Sequence, residues 1–142
     1  MDQKIKVLER FVDKPNKTYV AWIYGKTGTG KTEMVKKLVG NRLICGETTK
    51  DEIKIMYPII KGYTLTPLTS DTRILIIDNL YPDDYSLKQL LNIIDGTTIR
   101  VKMKGLVTIH PKEIYITSLW KPEDLYPNAE QLFKKITKIV HL

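Results

Sequence analysis

A chain of 142 residues that is 42% apolar and 27% charged has the make-up of one globular domain with an ordinary core; it holds no apolar run near the ~18–20 residues a membrane span requires. Its single cysteine, Cys45, excludes an internal disulfide and suits a reducing compartment. A formal net charge of +7 and a pI of about 9.4 favour polyanionic partners; a generally basic surface gives the same total, so the placement of the charge has to decide.

In chain order, residues 1–13 read as a short amphipathic helix, with Ile5, Leu8 and Val12 three to four apart among lysines and acids. The opening Met1-Asp2-Gln3-Lys4 lacks the apolar segment of a secretory signal. Asp13 to Lys17 is a polar break around Pro15. Thr18 to Tyr24 is apolar and rich in β-formers, a buried strand. A glycine-rich loop follows, then a helix from Lys31 to Val39 stopped by Gly40. Leu43 to Cys45 reads as a short second strand, and residues 46–72 as one or two short helices. Arg73 to Ile77 is a tight apolar strand ending in Asp78. Ser86 to Ile94 is a helix with Ser86 as N-cap and Gly96 beyond its end. Thr98 to Ile109 alternates as a β-hairpin does and turns at Lys104-Gly105. Glu113 to Thr117 is a further strand, Pro122 to Leu125 and Ala129 to Lys135 are helical, and Ile136 to Leu142 is a last strand. Strands interleaved with helices predict an α/β fold with a mainly parallel central sheet covered on both faces.

Three features carry chemistry. Gly25-Lys26-Thr27-Gly28-Thr29-Gly30-Lys31-Thr32 matches G-x-x-x-x-G-K-[ST] at every fixed position, between a strand and a helix. Glycines let such a loop curl so that several N–H groups face phosphate oxygens, and the following helix adds the positive end of its dipole. Lys31 then meets the β- and γ-phosphates, and the Thr32 hydroxyl is a Mg²⁺ ligand. Ile74-Leu75-Ile76-Ile77-Asp78 has the pattern of a strand that delivers a metal-holding carboxylate beside that loop; the plainer reading is a strand ending in a turn aspartate. Asn79 comes next, where an acid would serve hydrolysis; an amide positions water but is a poor base. From Gly96 to Lys112 there are four basic residues and no acid, +4 of the +7. Arg100, Lys102 and Lys104 alternate with Ile99, Val101 and Met103, which puts cations on one face and apolar groups on the other. Such a tip suits a phosphate backbone; the plainer reading is a solvated edge strand guarded by lysines.

The order of these motifs, followed by Ile114-Tyr115-Ile116-Thr117-Ser118, resembles a superfamily 3 helicase. Within it, the chain is most similar to the helicase domain of Rep proteins from circular single-stranded DNA viruses, circovirus-like ones above all. There the hairpin ends in Lys-Gly-Gly and is followed by Ile-Thr-Ser-Asn and a nearby Pro; this chain has Lys104-Gly105-Leu106, Ile116-Thr117-Ser118-Leu119 and Pro122. Leu132-Phe133-Lys134-Lys135-Ile136-Thr137 is similar to an aromatic-Arg-Arg-Ile-Thr segment. The resemblance covers roughly residues 18–142 and implies an AAA+-like P-loop NTPase with a protruding β-hairpin, using ATP and Mg²⁺ as a DNA helicase. Residues 1–17 would be an oligomerisation element. It also implies a homo-oligomeric ring, commonly a hexamer, drawing in single-stranded DNA, and an intracellular setting (the host nucleus for a virus of eukaryotes).

Carried over by position, Gly25 to Thr32 bind nucleotide, Thr32 and Asp78 hold Mg²⁺, and Arg100, Lys102 and Lys104 touch DNA. Thr117 and Ser118 form the sensor region, and Asn79 and Lys135 join Lys31 and Asp78 in catalysis. Three positions depart: Asn79 replaces a second acid, Leu119 the sensor asparagine, and Lys135 an arginine that reaches into a neighbour's site. Lysine keeps that charge without the bidentate fork. The family's DNA-nicking domain has no counterpart, since His110 and His141 form no His-hydrophobe-His pair; the chain is expected to be the helicase part of a longer protein. A nucleotide-gated assembly module with little turnover, an RNA helicase of picornavirus type and a small-molecule kinase remain alternatives. The last needs a lid with several arginines, whereas Arg10, Arg42, Arg73 and Arg100 are scattered.

Overall fold

The computed structural model describes residues 17–142; the helix expected over residues 1–13 and its role in assembly lie outside them. The chain folds as a mostly parallel α/β sheet flanked by helices. Among the described residues seven strands are formed: β1 Tyr19–Tyr24, β2 Ile53–Ile55, β3 Ile74–Leu80, β4 Thr97–Val101, β5 Gly105–Ile109, β6 Glu113–Ser118 and β7 Lys138–His141. The helices are α1 Lys31–Ile44, α2 Leu87–Asp95, α3 Pro122–Leu125 and α4 Glu130–Lys135, with a 3-10 turn at Lys50–Glu52. Five strands form one sheet in the order β2-β3-β6-β1-β7, each pair parallel.

Alternation along the strands sorts side chains between two cores. Tyr19, Ala21, Ile23, Ile74, Ile76 and Tyr115 face Met34, Val35, Leu38 and Val39 of α1. Val20, Trp22, Leu75, Ile77, Ile114 and Ile116 face Leu90, Ile93 and Ile94 of α2, Leu132 of α4 and the inner side of the hairpin. Strands buried on both faces need continuous apolar runs, which explains why β1, β3 and β6 stand out in the sequence.

Three expectations are corrected. Helix α1 does not stop at Gly40 but runs on to Ile44, and Leu43 to Cys45 is its end rather than a strand. A glycine inside a helix costs only about 1 kcal/mol against alanine, which packing of the apolar stripe on the sheet outweighs. The stop is Gly46, at φ 75°: its N–H donates to the Leu43 carbonyl and the Glu47 N–H to the Arg42 carbonyl, a left-handed cap that needs glycine. Residues 46–72 hold one short helix, the 3-10 turn at Lys50–Glu52, as expected, and also β2, which was not.

The third correction concerns the hairpin. Strand pairing ends at Val101↔Gly105, so Lys102 to Lys104 are the turn and the cationic alternation breaks there. Met103, at φ 65°, is 97% exposed rather than on the apolar face with Ile99 and Val101. The hairpin protrudes only at its tip. Ile99, Val101, Val107 and Ile109 are core, and Thr64 pairs alongside β4 through its N–H to the Arg100 carbonyl and its carbonyl to the Lys102 N–H.

Candidate functional site

The glycine-rich loop leaves the C-terminal end of β1 and enters α1. Gly28 and Gly30 adopt left-handed conformations, φ 84° and 87°, that side-chain-bearing residues avoid. A Cβ on Gly25 would lie 2.5 Å from the Leu142 carbonyl oxygen, so a side chain there collides with the chain beyond β7. The loop is braced from within: Thr29 Oγ1 donates to the Lys26 carbonyl at 2.8 Å. Lys31, at 6% exposed, donates from Nζ to the carbonyls of Gly25 and Lys26, both at 2.8 Å. The ammonium thus sits under the loop, held by neutral oxygens.

Asp78 comes to the loop because β6 lies between β1 and β3 and all three strands end on the same side. Its Oδ1 accepts from Thr32 Oγ1 at 2.8 Å and from Thr117 Oγ1 at 2.7 Å. Residues from the loop, from β3 and from β6 therefore converge on one carboxylate oxygen. The β3–β6 register shifts between Ile77 and Leu80, which makes Asp78-Asn79 a bulge. Asn79 takes φ 54°, and its N–H donates to Thr117 Oγ1 at 2.8 Å. Thr117 and Ser118 are 0% and 1% exposed. Ser118 Oγ donates to the Leu80 carbonyl and accepts from the Trp120 N–H, and the Ser118 carbonyl accepts from the Gly25 N–H. The pair expected as a sensor region is thus the mechanical link between the loop and the bulge.

A cleft of about 330 Å³ opens here, lined by Thr27, Gly28, Gly30 to Glu33, Asn79, Tyr81 and Leu119, within the usual range for a small-molecule site. Glu33 and Tyr81 were missed in the sequence. Glu33 directly follows the loop motif, and Tyr81, 51% exposed and edge-on to Trp120 at 5.5 Å, is an aromatic that a core would have covered. Asp83 and Asp84 belong to the turn beyond β3, where Asp84 Oδ2 accepts the Tyr81 N–H at 2.9 Å; neither lines the cleft. Among the described residues no three His, Cys, Asp or Glu side chains gather as a metal cluster.

The remaining candidates lie apart from the cleft. Lys135 Nζ pairs with Asp95 Oδ1 at 2.7 Å, joining α4 to α2. Arg100, beside the hairpin turn, and Lys102, within it, are exposed, while Lys104 Nζ donates to the Leu68 carbonyl at 2.9 Å. Arg100, Lys102 and Lys104 border a shallow hollow with Tyr63 and Met103. Among the described residues no helix is long and apolar enough to cross a membrane. No protein-family model matches the chain, and no curated protein matches it significantly.

Proposed function

We propose that this chain is an AAA+-like P-loop ATPase, the superfamily 3 DNA-helicase domain of a viral replication initiator, hydrolysing ATP to move along single-stranded DNA. The observation that carries the reading is the meeting of Thr32, Asp78 and Thr117 beside the glycine-rich loop: three elements distant in sequence contribute oxygens to one point. The loop N–H groups and Lys31 hold the β- and γ-phosphates. Thr32 Oγ1 and Asp78, hard oxygen donors 2.8 Å apart, fit Mg²⁺. When bound, that ion neutralises charge on the phosphates.

In this reading DNA lies along the hairpin tip. Arg100, Lys102 and Lys104 supply sequence-independent phosphate contacts, and a ring of identical subunits, commonly six in the superfamily the sequence resembles, surrounds the strand. A second reading, a nucleotide-gated assembly module with little hydrolysis, is favoured by Asn79 and Leu119. Both line the cleft, and neither provides a carboxylate.

The deciding experiment is phosphate release from ATP and Mg²⁺ with and without single-stranded DNA. Stimulation by DNA supports the motor; ATP binding without release leaves the assembly module. Lys102→Ala and Lys104→Ala are each expected to weaken DNA binding and lower the slope of log K against log salt by about 0.7–1. Turnover without DNA is expected to stay at the native level in both, and its loss would count against the DNA-contact role.

A further inference from the structure

The cleft contains a carboxylate that the motif reading does not use. Glu33 stands at the third position of α1, where an acidic side chain commonly folds back on the N-cap N–H. Among the described residues such a fold-back happens at two other helix starts, once from an acid and once from an amide. Glu52 accepts the Thr49 N–H at 2.9 Å and Gln89 accepts the Ser86 N–H at 2.9 Å. Helix α1 has no side-chain cap, and Glu33 has no hydrogen-bond or ion-pair partner among the described residues. The backbone accounts for the difference: Gly30 is left-handed, at φ 87° and ψ 21°, whereas Thr49 and Ser86 are extended, so its N–H is not presented to the third helical position and Glu33 is left on the cleft wall.

The other acids nearby are committed. Asp78 Oδ1 accepts from Thr32 and Thr117, and Asp84 closes the turn at Tyr81. Glu33 is exposed and lines the same cleft as Asn79, which sits in the bulge at φ 54°.

We propose that Glu33 is the general base for ATP hydrolysis, replacing the acid that Asn79 displaces, with the Asn79 amide orienting the water. This rests on the ATPase reading above. As the water oxygen bonds to the γ-phosphorus, its proton passes to the Glu33 carboxylate. The bond from the γ-phosphorus to the bridging oxygen breaks, and its electron pair leaves with ADP. The proton then passes from Glu33 to the released phosphate or to solvent, which restores the carboxylate.

The test compares native protein with Glu33→Gln, Glu33→Asp, Lys31→Ala and Asp78→Asn, reading phosphate release and the affinity for a fluorescent ATP analogue. Glu33→Gln is expected to lose about 10²-fold or more in kcat, the usual weight of a general base, with analogue affinity within about twofold of native. Glu33→Asp keeps the carboxylate and is expected to retain more turnover than Glu33→Gln. Release within about twofold of native in Glu33→Gln, with Lys31→Ala and Asp78→Asn inactive, overturns the Glu33 assignment and leaves the ATPase reading standing. Native-level release in Lys31→Ala overturns both. A native chain that binds the analogue but releases no phosphate removes the need for a base and overturns the assignment, leaving nucleotide binding.

Discussion

Lys31→Ala is expected to abolish ATP turnover and weaken nucleotide binding while leaving a folded protein. The Lys31 ammonium sits within the loop, 2.8 Å from the carbonyls of Gly25 and Lys26, and is 6% exposed. In the proposed ATPase reading, a cation held in that position is preorganised for the charge on a bound phosphate. Removing one such preorganised group generally costs about 10²–10³-fold in rate. The cost to the fold is smaller. Two loop carbonyls lose a donor beside an open cleft where water replaces it, a loss of about 1–2 kcal/mol. Phosphate release, titration with ATP and a thermal melt of the same preparation separate the two effects. A variant that melts like the native chain and still hydrolyses ATP at the native rate would place the chemistry elsewhere.

The second large effect is on stability. Arg42→Ala is expected to destabilise the protein by about 3–5 kcal/mol, the range for removing one partner of a buried ion pair. Arg42, in the last turn of α1, reaches Glu113 at the start of β6, with Nη2 to Oε1 at 3.1 Å; Glu113 is 1% exposed. The same carboxylate oxygen accepts the Tyr115 hydroxyl at 2.5 Å. Burial, with Glu113 adding to it, pushes the Tyr115 phenol far above its ordinary range and Tyr19 up to about 12, so both rings stay protonated. Without Arg42 the Glu113 carboxylate keeps, among the described residues, the Tyr115 hydroxyl and loses its ion-pair partner. Urea unfolding measures the loss, and a shift of under 1 kcal/mol would show that water or another cation reaches Glu113. The pair also matters to the cleft, because it anchors the far end of the helix that begins at Lys31 to the strand that ends in Thr117 and Ser118.

Much of the scaffold was legible because its signals are local. The glycine-rich loop is contiguous, with Gly28 and Gly30 marking backbone that only glycine enters readily. Strands β1, β3 and β6 each carry an apolar run, Tyr19 to Tyr24, Ile74 to Ile77 and Ile114 to Ile116, because they are buried on both faces. Helix α2 carries its own start in the Ser86–Gln89 capping box and ends at Gly96. Where reading failed, packing overrode a local cue. Gly40 was tolerated because α1 rests on the sheet, and β2 has only three residues, given strand form by pairing with β3. Met103 left the apolar face because the hairpin turns one residue pair sooner than alternation implies.

By itself, then, the amino-acid sequence determined the interleaved helices and strands, the loop with Lys31 and Thr32, and an apolar run leading into Asp78, since each depends on neighbours a few residues away; that β3 runs on past Asp78 to Leu80 was decided by its pairing with β6. Only the tertiary structure decided that β6 lies between β1 and β3. It alone brought Thr117 onto Asp78 across 39 positions, bound Lys135 to Asp95 across 40 and Lys104 to Leu68 across 36. It also set Glu33 free of its capping role on the cleft wall. Those pairings follow from strand order, a bulge and the burial of two cores, and no local pattern of residue types encodes them.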